Sequence, residues 1–320
     1  MIFVISPLMF VSFVLVILGR IVRIRSGSWL GIWLGIEVNL IGFILLINPE
    51  GICVVEPCIK YFIVQSLGSA FVLIGFICNE SNVRVYWNYV LVWLGLLIKR
   101  GVFPFHRWVP SVVSSSSWFV RCIVLTWQKL APLVFLGYFY EGVSLLLRIF
   151  IISLIGGVGG LNQHSVRGLM AYSSFVHTSW MLIALFSSFF IFIIYWLVYR
   201  ISVFLVMWAC AEKNKSYFKS GLRVVEVRLG IFILRGLPPF AGFLCKILVF
   251  LSVQNVALFF CILGSLIRLK FYLSFLYNIF FGGIQNSSHL DSLGYSRSFL
   301  LIYLNIVAFV LIGLWLFFFI

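Results

Sequence analysis

Residues 99–112 read KRGVFPFHRWVPSV and residues 236–246 read GLPPFAGFLCK. Both stretches lie inside long apolar runs, and both set glycine and proline beside a lysine, Lys99 in the first and Lys246 in the second. Proline removes a backbone donor and obstructs the turn before it, so each run is expected to form a helix that breaks partway along. Inside a bilayer, irregular backbone survives only where it is buried in protein or lines water. Paired broken helices in two halves of a chain point to a transport site. A packing kink is the plainer alternative, and the adjacent lysines argue against it. A lysine at the centre of a spanning helix costs about 2.5–3.5 kcal/mol on insertion scales.

Composition makes the bilayer the right solvent for this argument. Hydrophobic residues are 63% of 320, charged residues 10%, and the mean hydropathy is +1.17; a water-soluble domain carries about 25% charge. The longest polar segments, 211–228 and 282–298, are too short to fold separately, so residues 1–320 are expected to form a single integral membrane domain. On a ruler of about 20 apolar residues per span there are about eleven candidates: roughly 2–19, 28–47, 58–78, 85–110, 117–140, 143–161, 167–187, 189–210, 229–253, 256–281 and 298–320. The fold expected is an all-α polytopic transmembrane helical bundle with two discontinuous helices. The start, MIFVISPLMFVSF, reads as a retained helix with neither signal nor transit peptide. Small residues four apart, Gly31 with Gly35 and Gly156 with Gly160, suit close helix packing.

The net charge of +15 would suggest nucleic acid in a soluble protein, but the basic residues form no dense patch. Nucleic-acid binding is not expected. Arg20, Arg23 and Arg25, after the first run, are read as loop residues near anionic membrane lipids. Seven scattered cysteines without a CxxC, and four dispersed histidines, offer neither a disulfide framework nor a metal site. The chain has no GxGxxG and no GxxxxGK[ST], so no cofactor is expected to bind here.

What remains is charge placed at a cost. Glu37, in WLGIEVNLIGF (33–43), is the only one of eight acids inside an apolar run. A buried carboxylate either pairs with a cation or takes up a proton, and Lys99 is the partner proposed for it. A pair that opens and closes would alternate the proton affinity of its surroundings; a static pair would only hold two helices together. Lys129, in LTWQKLAPL (125–133), is read as mid-helix, too far from either end for its stem to snorkel out. Lys246 follows the double-proline break. Lys60, near a helix start, is a possible relay group or an interface anchor, and His106 and His177 are further possible proton carriers. Arg200, Arg235, Arg268 and Lys270 also fall within spans, and the sequence offers no account of them.

Several of these stretches carry a resemblance. WLGIEVNLIGF at 33–43, IKYFIVQ at 59–65, KRGVFPFHRWVPSV at 99–112, LTWQKLAP at 125–132, GGLNQHSVRGLMAYSSFVHTSWM at 159–181 and GLPPFAGFLCK at 236–246 resemble subunit 2 of mitochondrial NADH:ubiquinone oxidoreductase, respiratory complex I. WQKLAP, AYSS and GLPP in this order are a specific combination. The resemblance implies a proton-translocating core subunit of the membrane arm, antiporter-like and shortened at its N-terminus relative to bacterial counterparts. It also implies the mitochondrial inner membrane as location and the other membrane-arm subunits as partners. NADH, FMN, iron-sulfur clusters and ubiquinone would belong to other subunits. Glu37 and Lys99 would be the coupling carboxylate and lysine, Lys129 the central lysine and Lys246 the distal one. The chain departs from the family pattern at Ser111, where the family has glutamate, at Arg235, where it has glycine, and in the register of Arg268 and Lys270. The rival readings are a stand-alone cation/proton antiporter and a structural spacer whose lysines only hold the arm together.

Overall fold

The computed structural model describes residues 7–47, 55–80, 85–102, 104–138, 143–163, 165–211, 230–237, 240–253 and 256–283, with 306, 310 and 313. Its helices are α1 (Pro7–Arg25), α2 (Trp29–Ile47), α3 (Val55–Glu80), α4 (Val85–Arg100), α5 (Trp108–Ser115), α6 (Trp118–Leu125), α7 (Trp127–Tyr138), α8 (Val143–Gly160), α9 (Val166–Ser187), α10 (Phe189–Ala211), α11 (Ala241–Ser252) and α12 (Ala257–Gly283). Residues 230–235 are also helical. There is no strand among the described residues. Among the described residues, five segments are long and apolar enough to cross a membrane whole: Trp29–Ile47, Val55–Cys78, Val166–Ser187, Phe189–Trp208 and Ala257–Ser274. The expected span at 298–320 lies almost wholly outside the described residues.

Two bodies emerge, one drawn from Met1–Val124 and Gln128–Phe139, the other from Leu125–Trp127 and Tyr140–Ile320. In the first, α1 packs along α2, and α3 packs on α2, α4 and α5. Gly35 makes the α1–α2 approach possible, since a methyl there would lie 2.7 Å from the Arg23 backbone nitrogen. At Gly31 the atoms nearest to such a methyl belong to Ser26 and Ser28, at the entry to its own helix. In the second body α9 is the hub, with α8, α10, α11 and α12 around it. Gly156 packs on Val176 of α9 and Gly160 on Phe271 of α12.

Both bodies have an apolar core and apolar outer faces, and the charges inside their spans are turned inward, as expected of a protein whose solvent is lipid. Leu8, Phe10, Val11, Leu18, Ile21 and Val22 of α1 face outward, while Lys99, Arg100, Lys129, Arg235 and Arg268 are buried. The α1 arginines correct a sequence expectation. The helix continues through Arg25, so these residues are not in a loop, and Arg20 and Arg23 are buried at 5% and 6% exposure. Arg25 alone of the three is exposed.

Both expected breaks are present and are built alike. α4 ends at Arg100, and Gly101 follows at φ +64°; the helix 230–235 ends at Arg235, and Gly236 follows at φ +64°. A side chain would disfavour that left-handed backbone, which is why glycine terminates each half-helix. The Gly101 N–H donates to the Ile98 carbonyl and the Gly236 N–H to the Ile233 carbonyl, both at 3.0 Å. Phe105 N then bonds Val102 O, and Phe240 N bonds Leu237 O, both at 2.8 Å. The sequences match in the same register: RGVFPF at 100–105 against RGLPPF at 235–240. Of these positions Phe103, Pro238 and Pro239 lie outside the described residues.

A third break was not expected. The run 117–140 divides at Thr126 into α6 and α7, so Lys129 sits in the first turn of α7 rather than in mid-helix. Pro132 has no N–H to give the Gln128 carbonyl, and its ring crowds that turn. The carbonyls just before it are taken by side chains of α10: Tyr199 donates to Leu125 O at 3.3 Å and the Trp196 indole to Thr126 O at 3.4 Å.

Candidate functional site

Lys99 lies in the last turn of α4, where four carbonyls lack helical donors. Its ammonium donates to the Gln65 carbonyl of α3 at 3.0 Å, and the Gln65 side-chain amide donates back to the Lys99 carbonyl at 3.1 Å. One residue of α3 thus holds both the side chain and the backbone of the lysine. The lysine stem passes over Gly68, where a methyl would lie 2.8 Å from Cγ. The Trp108 indole closes the same helix end by donating to Ile98 O at 3.1 Å.

Glu37, half-buried on α2, makes no ion pair within 4.0 Å of Lys99. It acts on the ammonium only through longer-range electrostatics, as does Arg23. The expected pair is therefore open here, with Lys99 on a backbone carbonyl instead.

A small cavity of about 20 Å³ lies beside Lys99, with Arg23, Asn39, Tyr61, Gln65 and Gln128 as its other polar lining. That is room for a water, which needs roughly 10–15 Å³. Gln128 is tied at its amide oxygen by Asn39 Nδ2 at 2.9 Å and Arg20 Nη2 at 3.4 Å. The Arg20–Gln128–Asn39 set was missed in the sequence, although an arginine and two amides inside apolar runs are the same kind of signal as the lysines.

Lys129 follows Gln128 and is buried at 6% exposure, within electrostatic range of Arg100. In the second body, Lys246 of α11 donates to the Arg235 carbonyl at 2.6 Å, reaching back across the break, with its ammonium 6.0 Å from the Trp180 ring. The Arg235 guanidinium donates to Leu269 O of α12 at 3.2 Å, and Arg268 Nη2 lies 3.5 Å from the Arg235 carbonyl.

The remaining sequence-selected residues are dispersed. Lys60 is exposed and pairs with Glu56 one turn earlier on the outer face of α3. His177 is buried, its Nδ1 3.0 Å from the Tyr195 hydroxyl and its ring packed on Tyr199. His106 sits between α4 and α5. Arg200 is exposed and stacks over Trp127 and Trp196, and Lys270 is exposed. No group of three or more metal-ligating side chains occurs among the described residues.

Against known proteins, the family described as NADH:quinone oxidoreductase/Mrp antiporter, TM, matches residues 26–270. NADH-ubiquinone oxidoreductase chain 2 of Mytilus edulis is 46% identical over 269 residues, 84% of this chain and 85% of that one. The protein of the same name from Anopheles gambiae is 36% identical over 295 residues, 86% of each. Among solved structures, a chain of the archaeal membrane-bound sulfane sulfur reductase superposes with a TM-score of 0.77 at 18% identity, over 93% of this chain and 72% of that one. A chain of respiratory complex I from Thermus thermophilus gives 0.73 at 20% identity, over 86% and 71%. At these identities the structural likeness is one of fold.

Proposed function

Because the chain belongs to the NADH-ubiquinone oxidoreductase chain 2 family, we propose that its Glu/Lys row carries protons across the mitochondrial inner membrane. It acts as a multi-pass subunit of the membrane arm of NADH:ubiquinone oxidoreductase, beside the other membrane-arm subunits. Quinone reduction elsewhere in the complex drives it. This chain performs no redox chemistry; NADH, FMN, the iron-sulfur clusters and ubiquinone are bound elsewhere in the complex.

The observation that carries the reading is the placement of Lys99, Lys129 and Lys246 at three helix breaks. A break supplies unpaired backbone carbonyls and access for water, the two things a lysine needs to hold and release a proton away from bulk solvent. A proton arrives near Glu37 and Lys99. The lysine holds it on the Gln65 carbonyl while the Glu37 pair is open, and closing of that pair would draw the ammonium from Gln65. Internal water, for which the cavity beside Lys99 has room, conducts towards Lys129. Lys246 is the distal group through which the proton leaves.

Lys129→Met removes the titrating group while keeping most of the apolar stem. In the assembled complex reconstituted into vesicles it is expected to lower the protons moved per NADH oxidised. An unchanged ratio would sink the central-relay claim.

A further inference from the structure

In the second body two buried cations, Arg235 and Arg268, are left unused by the relay, and the backbone carbonyl of the first, which holds Lys246, is the one the second faces. The Arg235 carbonyl is the last of its half-helix and has no helical donor of its own. Lys246 Nζ takes it at 2.6 Å, and Arg268 Nη2 stands behind at 3.5 Å, beyond the 2.7–3.2 Å usual for N–H···O bonds. Arg268 is 1% exposed, and its second terminal nitrogen, Nη1, has no hydrogen-bond partner among the described residues. Its guanidinium centre is 5.9 Å from the Tyr272 ring, the same distance as that of Arg235. The carbonyl itself is held from the other side of its residue, because the Arg235 guanidinium donates to Leu269 O, next to Arg268 on α12.

We propose that Arg268 is a positioning residue for Lys246: the two compete for the Arg235 carbonyl, and Arg268 closes onto it when Lys246 lets go. The chemistry favours this exchange. Guanidinium keeps its charge throughout, whereas lysine is the side chain that can lose its own. While Lys246 is an ammonium it is the compact donor and wins the carbonyl. When it gives up its proton it becomes a poor donor, and the buried carbonyl would be left unsatisfied without a replacement. Arg268 needs to move by only about 0.6 Å to reach the usual bond length near 2.9 Å. The second half of the chain thus has a stand-in donor that removes the penalty for deprotonating its lysine. Lys246 as a relay group is the reading of the preceding section, and the functional half of this inference rests on it.

A structure of the intact complex carrying Lys246→Met tests the exchange directly. The Arg268 Nη2 to Arg235 carbonyl distance is expected to shorten to about 2.9 Å; a gap that stays at its present length or widens overturns the competition. Arg268→Met, in complex reconstituted into vesicles, is expected to lower the protons moved per NADH, with Arg268→Lys restoring most of the loss because it returns a donor. A normal ratio in Arg268→Met, or a loss that Arg268→Lys does not relieve, overturns the positioning role. Should Lys246→Met pump normally while the distance shortens, the relay reading fails and the exchange stands.

Discussion

The two broken helices share a backbone and differ in what closes it. After Arg100 and after Arg235 the chain makes the same glycine turn with the same bond lengths. In the first break the exposed carbonyls go to neutral donors, the Trp108 indole on Ile98 and the Gln65 amide on Lys99. In the second the last carbonyl goes to a cation, Lys246 on Arg235, with Arg268 3.5 Å away from it. The lysine of the first break stands before the glycine and reaches out to α3; that of the second follows the glycine and folds back over it. Loss of the lysine's charge would leave the cap of the first break intact and would remove part of the cap of the second. A turn conserved in geometry has been put to two electrostatic uses.

The sharpest way to break this comparison is to put a methyl group on each glycine. At Gly236 it would lie 2.8 Å from Lys246 Nζ and 2.9 Å from the Gly242 carbonyl; at Gly101 it would run into Trp108 and Val109. The left-handed backbone adds roughly 1–2 kcal/mol in either place. Both variants are expected to lower the thermal stability of the complex, but only Gly236→Ala strikes a lysine. Gly236→Ala should therefore reduce protons per NADH in the complex that does assemble, while Gly101→Ala should reduce the yield of complex and leave the ratio of what remains near normal. Equal losses of coupling in the two would mean that the breaks are not functionally distinct.

Much of this contrast could be read from the residues, and the limits of that reading have physical causes. Glycine and proline beside lysine mark a break because they act on the backbone locally, whatever surrounds them. The break at Thr126 escaped because Pro132 acts on the turn before it, and only the side chains of Tyr199 and Trp196, far away in sequence, make the freed carbonyls tolerable. The sequence places Arg20 and Arg23 in a loop near lipid head groups because an arginine at the end of an apolar run usually finds water; here Gln128 takes Arg20 inward. The four residues Glu37, Lys99, Lys129 and Lys246 were legible because charge in an apolar run is costly enough to demand a reason. Gln65, Gln128 and Asn39 were weaker signals of the same kind, since an amide costs less to bury than a charge. The partner each of them finds is a property of tertiary packing.

Gln65→Leu sharpens the comparison at the first break. It removes the amide that caps the Lys99 carbonyl and leaves the Gln65 backbone carbonyl, which holds the ammonium. The buried Lys99 carbonyl then lacks its donor, at about 1–3 kcal/mol. A lower melting temperature with an unchanged ratio of protons to NADH is expected, because a neutral cap stabilises without taking part in charge movement. A large loss of pumping at unchanged stability would instead make Gln65 part of the path.

The smallest effect belongs to Lys60, which separates lysines at breaks from lysines in general. Lys60 is in the same α3 that supplies Gln65, one turn and a half earlier, but it is exposed and is met by Glu56 on an unbroken helix. Without an orphaned carbonyl beside it, its proton has nowhere internal to go, and an exposed pair spaced by four residues adds little to the fold. Lys60→Met is expected to leave both the melting temperature of the complex and the protons per NADH unchanged. A clear loss of pumping from this variant, measured beside Lys129→Met in the same vesicles, would show that the outer face of α3 joins the path, and that burial at a break is not what qualifies a lysine here.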